Sequence, residues 1–98
     1  MTIEQVKNGN ALTLKVSGRL DTTTAPQLSD ALDASLTGVE TLALDFANLE
    51  YISSAGLRVL LQAQKIMAKR GGMVVRHINE TVTEVLEVTG FVDILTIE

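Results

Sequence analysis

Two successive serines, Ser53 and Ser54, stand where the sequence changes from a loop to a helical pattern, and the small residues Ala55 and Gly56 follow them. A helix start presents unpaired backbone amides at the positive end of the helix dipole, so a negative charge is favourable there. Serine is also a common N-cap residue, and capping alone could explain both hydroxyls. The small residues favour a site, because they keep the helix start open to another molecule.

A second polar cluster surrounds Asp21, which ends the segment Gly18-Arg19-Leu20-Asp21 and is followed by three threonines. An acid and several hydroxyls in one turn between a strand and a helix could belong to a binding surface. Such residues are also common in turns and caps for purely local reasons, and a capping cluster is the simpler local interpretation. The same alternative applies to Asp45 and Glu50, which stand at the ends of other predicted elements.

Most catalytic constellations are missing from the sequence. His77 is the only histidine and there is no cysteine, so a thiolate or multi-histidine zinc site is excluded. Ser54-Ala55-Gly56 is only half of a Gly-x-Ser-x-Gly nucleophile elbow, because Ile52 occupies the position of the leading glycine. These patterns predict a protein that is not an enzyme and that holds no metal or cofactor, with His77 as a cap or a solvent-facing side chain.

The elements around the serines form a strand, a connection and an amphipathic helix. Residues 41–46 are a short apolar run that suits a buried strand, and residues 47–52 are interpreted as a connecting loop. In the helix that follows, the polar residues Arg58, Gln62, Lys65 and Lys69 draw one narrow solvated stripe. The residues predicted to pack inward are Leu57, Leu60, Leu61, Ala63, Met67 and Ala68.

Asn8-Gly9-Asn10 between two alternating runs predicts an N-terminal β-hairpin. Thr24 is predicted to cap the next helix through a capping box with Gln27, and either Asn79 or Thr81 the last one. A strand over residues 73–78 and a possible short edge strand over 94–97 complete the pattern. The fold class is therefore α/β, a single domain over residues 1–98, with helices packed on a mixed, mostly parallel sheet that begins with an antiparallel hairpin.

Composition limits the function further. The chain has 98 residues and 46% hydrophobic residues, which is enough for one core. A formal net charge of −4 argues against nucleic acid as a partner. The first residues lack the pattern of a signal peptide, and no apolar run approaches the ~20 residues that span a bilayer, so we expect a cytoplasmic protein without membrane insertion.

The segment Tyr51-Ile52-Ser53-Ser54-Ala55-Gly56-Leu57, preceded by Leu44-Asp45-Phe46-Ala47-Asn48-Leu49, resembles the signature of the STAS-domain anti-sigma factor antagonists. Gly18-Arg19-Leu20-Asp21 with Thr24-Ala25 resembles the other recurring turn of that family. The resemblance implies a STAS-like fold and a bacterial partner-switching protein. Its partner would be a serine kinase of the histidine-kinase-like ATPase type that doubles as an anti-sigma factor, with a serine phosphatase as the opposing enzyme.

The resemblance also implies which serine is modified. With Gly56 and Leu57 in register, the phosphate acceptor of the family corresponds to Ser54, and Ser53 replaces an aspartate and becomes a competing acceptor. The unphosphorylated form would capture the kinase and release the sigma factor, and phosphorylation would end the capture. The predicted partner-binding residues are Asp21, Thr22, Thr23, Ser53, Ser54, Ala55, Gly56 and Arg58.

The alternative from another class is a constitutive STAS subunit of a transporter-linked or lipid-transport complex, in which the same surface binds without phosphorylation. A serine at the acceptor position favours the switch.

Overall fold

The computed structural model describes residues 1–98, with strands and helices in the order β-β-α-β-β-α-β-α-β. The strands are β1 (Thr2–Asn8), β2 (Ala11–Leu20), β3 (Thr41–Asp45), β4 (Leu49–Ile52), β5 (Met73–Arg76) and β6 (Thr96–Ile97). The helices are α1 (Ala25–Ser35), α2 (Ser54–Met67) and α3 (Glu80–Val88), and a short 3-10 helix covers Phe91–Asp93.

One mixed sheet with the order β1-β2-β3-β5-β6 carries the fold, and β4 pairs with the end of β2. Strands β1 and β2 are antiparallel, and the remaining pairs are parallel. Gly9 closes the hairpin with φ 64°, a conformation that glycine adopts without strain. The predicted α/β class, hairpin and mostly parallel sheet are confirmed.

All three helices cover the same face of the sheet. Each parallel connection, from β2 to β3, from β4 to β5 and from β5 to β6, advances in the same direction across the sheet, and a right-handed crossover then puts every helix on one side. Leu12, Leu14 and Val16 alternate along β2 toward that side and are buried in a cluster of 24 residues. The other face of the sheet has no helix on it, and we call it the open face.

The loop predicted over residues 47–52 was wrong for four of its six residues, because Leu49–Ile52 form β4. Leu49 and Ile52 are buried, and β4 pairs in parallel with residues 18–20 of β2 after a register shift between Gly18 and Arg19. β4 therefore lies beside β2 as β3 does, but further along β2 and after a bulge. Only its pairing with the end of β2 distinguishes it from a loop.

The predicted capping box of α1 is also wrong. Thr24 stands at the N-cap, but its side chain makes no capping bond to the helix, and the Gln27 side chain donates to the carbonyl of Met1 instead. For α3 the prediction left two candidates, and Asn79 is the cap, with its side chain accepting from the amide of Val82 at 2.8 Å.

The solvated stripe of α2 is confirmed, since Arg58, Gln62, Lys65 and Lys69 are all exposed. Ala68 was expected to pack inward and is exposed, because α2 ends at Met67. The fifth strand is shorter than the predicted 73–78: His77 has φ 60°, which an extended strand does not accommodate.

Candidate functional site

The pairing of β2 with β4 brings the two predicted clusters together. Leu20 and Ile52 are partners in the parallel register, and the amide of Ser53 donates to the carbonyl oxygen of Leu20 at 2.9 Å. The two strands thus end side by side, and the residues that follow them, Asp21 and Ser53, lie next to each other. Carboxyl ends of parallel strands are a common place for sites in α/β folds.

The turn at Asp21 is held by its own hydrogen bonds. One carboxylate oxygen, Oδ1, accepts from the amide and the hydroxyl of Thr23 at 3.0 and 2.8 Å and from the amide of Thr24 at 3.2 Å. The hydroxyl of Thr24 donates to the carbonyl of Arg19 at 2.7 Å and accepts from the amide of Asp21 at 2.9 Å. These bonds fix the turn that precedes α1. The hydroxyl of Thr24 is already bonded to the backbone of Arg19 and Asp21, which explains why it does not cap the helix.

The same bonds stabilise the charged form of Asp21. The hydroxyl of Thr23 lowers the pKa of this carboxyl below its ordinary value of 3.8, and the amides of Thr23 and Thr24 act in the same direction. The Nε atom of Arg19 lies 3.9 Å from Oδ2, and the Arg19 guanidinium stacks over the ring of Tyr51 at 4.5 Å. The turn consequently presents a fixed negative charge with a cation beside it.

The two serines at the start of α2 have different environments. Ser53 is the N-cap residue, and its Oγ atom is buried without a hydrogen-bond partner. Ser54 is the first residue of the helix and is exposed. The first helical hydrogen bond runs from the amide of Leu57 to the carbonyl of Ser53 at 3.0 Å, so the amides of residues 54–56 precede the helical ladder.

Gly56 is buried, and its place is fixed by packing. A Cβ atom on Gly56 would lie 2.7 Å from Cγ of Leu20 and 2.9 Å from Cγ1 of Ile52. The missing side chain lets the first turn of α2 sit directly on the ends of β2 and β4. Gly56, which we predicted as a partner-binding residue, supports the site from beneath, whereas Ser54 forms part of its surface.

A groove of about 380 Å³ lies between the first two turns of α1 and of α2. It is lined by Thr22, Ala25, Pro26, Ser29, Asp30, Ala55, Arg58, Val59 and Gln62. Three of the predicted partner-binding residues, Thr22, Ala55 and Arg58, thus meet in one depression beside the two turns. Thr23 is exposed on the neighbouring turn.

Sequence reasoning missed Tyr51 and the α1 side of the groove. Tyr51 was assigned to a loop, and its place opposite Arg19 depends on the register of β4 with β2. Ser29 and Asp30 of α1 were not singled out as site residues. The direction of the two crossovers, which puts α1 and α2 on the same face, was the signal that could have placed them beside α2.

The other polar candidates lie away from this groove. His77 is 63% exposed, and its Nδ1 atom lies 2.9 Å from Oδ1 of Asp45. The hydrogen bond with His77, followed by the amide of Ala47, lowers the pKa of Asp45 below 3.8.

No three His, Cys, Asp or Glu side chains converge as metal ligands would, and no helix combines the length and apolarity needed to cross a bilayer.

Comparison with known proteins gives a consistent result. Residues 3–96 match the family model described as "Mlab, STAS domain". The chain is 37% identical over 84 residues to BtrV of Bordetella bronchiseptica, which is named as a candidate anti-sigma factor antagonist; the match covers 84% of this chain and 72% of that protein.

Two solved structures share the fold. The anti-sigma factor antagonist of Mycobacterium paratuberculosis has a TM-score of 0.89 at 24% identity, over 98% of this chain and 83% of that one. The Bacillus cell fate determinant SpoIIAA in its phosphorylated form has a TM-score of 0.75 at 15% identity, over 99% of this chain and 91% of that one. This chain belongs to the STAS-domain family of anti-sigma factor antagonists.

Proposed function

We propose that this protein is an anti-sigma factor antagonist that switches partners in the bacterial cytoplasm. Its unphosphorylated form binds a serine kinase of the histidine-kinase-like ATPase type, which is also an anti-sigma factor, and the bound sigma factor is released. Family membership supports the general role. The proposed switch depends on Ser54.

The observation that carries the switch is the contrast between the two serines. Ser54 is exposed, whereas Ser53 Oγ is buried. A kinase must bring the γ-phosphate of ATP in line with an accessible hydroxyl oxygen. Ser54 offers such an oxygen, and Ser53 would have to be uncovered first.

The reaction itself needs nothing from this chain beyond the hydroxyl. The kinase transfers the γ-phosphoryl group of ATP to Oγ of Ser54, the hydroxyl proton leaves, and ADP is the other product. A serine phosphatase hydrolyses the ester, which returns the hydroxyl and inorganic phosphate. This cycle would alternate the charge at the start of α2.

The docking surface we propose consists of the Asp21 turn, the start of α2 and the groove between α1 and α2. These parts adjoin one another at the carboxyl ends of β2 and β4. The fixed Asp21 carboxylate and the exposed Arg58 give the surface charges of both signs, and the small side chains Ala25 and Ala55 let a partner approach closely. A phosphate on Ser54 would stand in the middle of this surface, where the partner must exclude water.

A constitutive subunit of a transporter-linked or lipid-transport complex is the second candidate. The family model that matches is described by the name Mlab, and Ser53 replaces the aspartate that precedes the acceptor in the antagonists the chain resembles. In this alternative the same groove binds a permanent partner, and Ser54 is an ordinary surface residue.

The test is reconstitution of the switch from purified components. The kinase with ATP should phosphorylate this protein and then release it, and treatment with the phosphatase should restore binding. A protein that binds a transporter component equally well with Ser54 intact, removed or replaced by an acid would support the constitutive subunit.

A further inference from the structure

The open face of the sheet carries a second ordered set of charges, unrelated to the Ser54 surface. The strand registers place Glu4 beside Lys15, Lys15 beside Asp45, and Asp45 beside Arg76. Glu98 then pairs with Arg76, the Oε1 atom lying 2.6 Å from Nε. We call these five residues the ionic row. Its charges alternate in sign from one strand to the next.

An uncharged row lies next to the ionic row on the same face. It consists of Val6, Thr13, Ala43, Val74 and Thr96, which are also partners in register across the five strands. We call it the middle row. Val6 is 44% exposed, and Ala43 is the one buried apolar residue that lies outside the core cluster. The middle row is therefore a flat, largely apolar strip that no other part of the chain covers.

The order of charges fits a second copy of the same face. A two-fold axis parallel to the strands, between β2 and β3, exchanges β2 with β3 and β1 with β5. Lys15 then faces Asp45 of the other copy, and Glu4 faces Arg76. Because an isologous interface repeats every contact, four attractive charge pairs result and no like charges face each other.

The middle row fits the same arrangement. Thr13 meets Ala43 of the second copy, so that the larger side chain lies against the smaller one, and Val6 meets Val74. Face-to-face sheets pack about 10 Å apart with their strands roughly 30° from parallel, which long charged side chains at the rim can span.

We propose that the open face is a self-association surface, through which two copies of this protein stack sheet against sheet. The four strands that overlap lie about 4.8 Å apart, and the two rows lie about 6.6 Å apart along each strand, so the overlapping area is roughly 250 Å². This is less than half of the ~800 Å² per partner in a standard stable interface, so the dimer is weak and depends on concentration.

The dimer leaves the Ser54 surface free. The start of α2 belongs to the helix-covered face, opposite the ionic row. Each copy therefore keeps its own docking surface, and the pair presents two of them. This inference does not depend on the proposed partner switch.

Sedimentation velocity of the full chain from micromolar to millimolar concentration tests the proposal. The wild type should form a dimer that weakens at high salt, because screening reduces the four charge pairs. Thr13→Arg, which puts a long cation in the centre of the face, should be monomeric throughout. A wild type that stays monomeric at millimolar concentration overturns the proposal, and so does a dimer that Thr13→Arg leaves intact.

Charge reversal gives an independent test that does not alter the centre of the face. Glu4→Arg places a cation opposite Arg76 in both symmetry-related contacts and should weaken the dimer at least about tenfold. The double variant with Arg76→Glu restores opposite signs and should recover most of the loss. Glu87→Arg, on exposed α3, makes the same change of charge off the face and should have no effect. Equal weakening by Glu87→Arg and Glu4→Arg, or no recovery in the double variant, contradicts the proposed pairing.

Discussion

The amide of Ser53 donates a hydrogen bond of 2.9 Å to the carbonyl oxygen of Leu20, and this bond ties the start of α2 to the end of β2. It is the contact through which two turns more than 30 residues apart in sequence become one surface. The turn at Asp21 continues from Leu20, and Ser54 continues from Ser53.

Phosphate is expected on Ser54 and not on Ser53. Incubation with the cognate kinase and ATP, followed by peptide mass spectrometry, should give a single modified residue. The matched controls are Ser54→Ala, which should abolish modification, and Ser53→Ala, which should leave it. Phosphate found on Ser53 or on residues 22–24 would show that accessibility does not select the acceptor.

Phosphorylation should leave the fold unchanged and should not lower its stability. A phosphate adds about −1.5 to −2 charges beside the free amides of residues 54–56, and such a charge stabilises a helix start by roughly 0.3–1 kcal/mol. Arg58 stands four residues after Ser54 on the exposed side of α2 and can approach the phosphate. We expect the melting temperature to hold or to rise by a few degrees.

Comparison of melting curves tests this expectation. The phosphorylated wild type is compared with phosphorylated Arg58→Ala, in which any gain should shrink because the nearby cation is missing. A fall of many degrees on phosphorylation, or changes of amide chemical shifts throughout the domain, would mean that the modification acts by unfolding α2.

Gly56→Ala should destabilise the protein by about 1–2 kcal/mol. The added methyl group meets Cγ of Leu20 at 2.7 Å and Cγ1 of Ile52 at 2.9 Å, and overpacking of this kind costs about 1–3 kcal/mol. Higher helix propensity returns roughly 0.5–1 kcal/mol. Urea unfolding gives the free energy of unfolding. In a Leu20→Ala background the cost of the added methyl group should fall, and equal costs in both backgrounds would exclude the steric explanation.

Acid should destabilise the protein partly through Asp21 and Asp45. Their pKa values are lower in the folded protein than their ordinary value of 3.8, so the folded state binds fewer protons than the unfolded state. Their contribution is present above that ordinary value, and it is lost as the pH falls through the lower, folded pKa values. Asp21 lies at the surface and is only partly buried, so the effect is expected to be small.

Urea unfolding measured between neutral and strongly acidic pH should show this contribution. Asp21→Asn and Asp45→Asn should each reduce the dependence of stability on pH, and Asp33→Asn, on the exposed face of α1, is the control. An unchanged pH dependence in both variants would show that these hydrogen bonds do not favour the carboxylate over the protonated acid.

Much of the fold follows from local sequence patterns, but the details of the site do not. The stripe from Arg58 to Lys69 predicts which side of α2 faces solvent, and Gly9 marks the hairpin, because both signals depend on neighbouring residues alone. The strand β4 was missed because four residues with only Leu49 and Ile52 buried resemble a loop until they pair with β2.

In the candidate site, too, the local features could be predicted from the sequence and the long-range ones could not. Ser54 and Asp21 could be selected from residue type and resemblance, since each stands beside a predicted helix start. The burial of Ser53 Oγ, the hydrogen bonds from Thr23 to Asp21 and the stacking of Arg19 on Tyr51 depend on long-range or side-chain geometry. The local pattern of Thr24 with Gln27 instead suggested a capping box. In the structure the carboxylate of Asp21 takes the place of the Gln27 side chain and accepts from the amide of Thr24.

Asp21→Asn should weaken capture of the kinase without unfolding the protein. The substitution removes the negative charge of the turn but keeps an oxygen that accepts from Thr23 and Thr24, so the backbone conformation should be retained. Calorimetric titration against the kinase with ADP gives the affinity, and a melting curve confirms that the variant is folded. Asp33→Asn serves as the matched control. Equal affinity of Asp21→Asn and wild type would remove the turn from the docking surface.

The central claim is that a negative charge at Ser54 ends binding of the kinase, and calorimetric titration of Ser54→Asp, Ser54→Ala and wild type with kinase and ADP tests it directly. Burying an insufficiently paired charge in the interface costs several kcal/mol, and a loss of only ~3 kcal/mol weakens binding more than a hundredfold. We predict that Ser54→Asp binds more than about a hundredfold more weakly and that Ser54→Ala binds like the wild type. Equal affinity of Ser54→Asp and wild type would contradict the switch and favour a constitutive subunit.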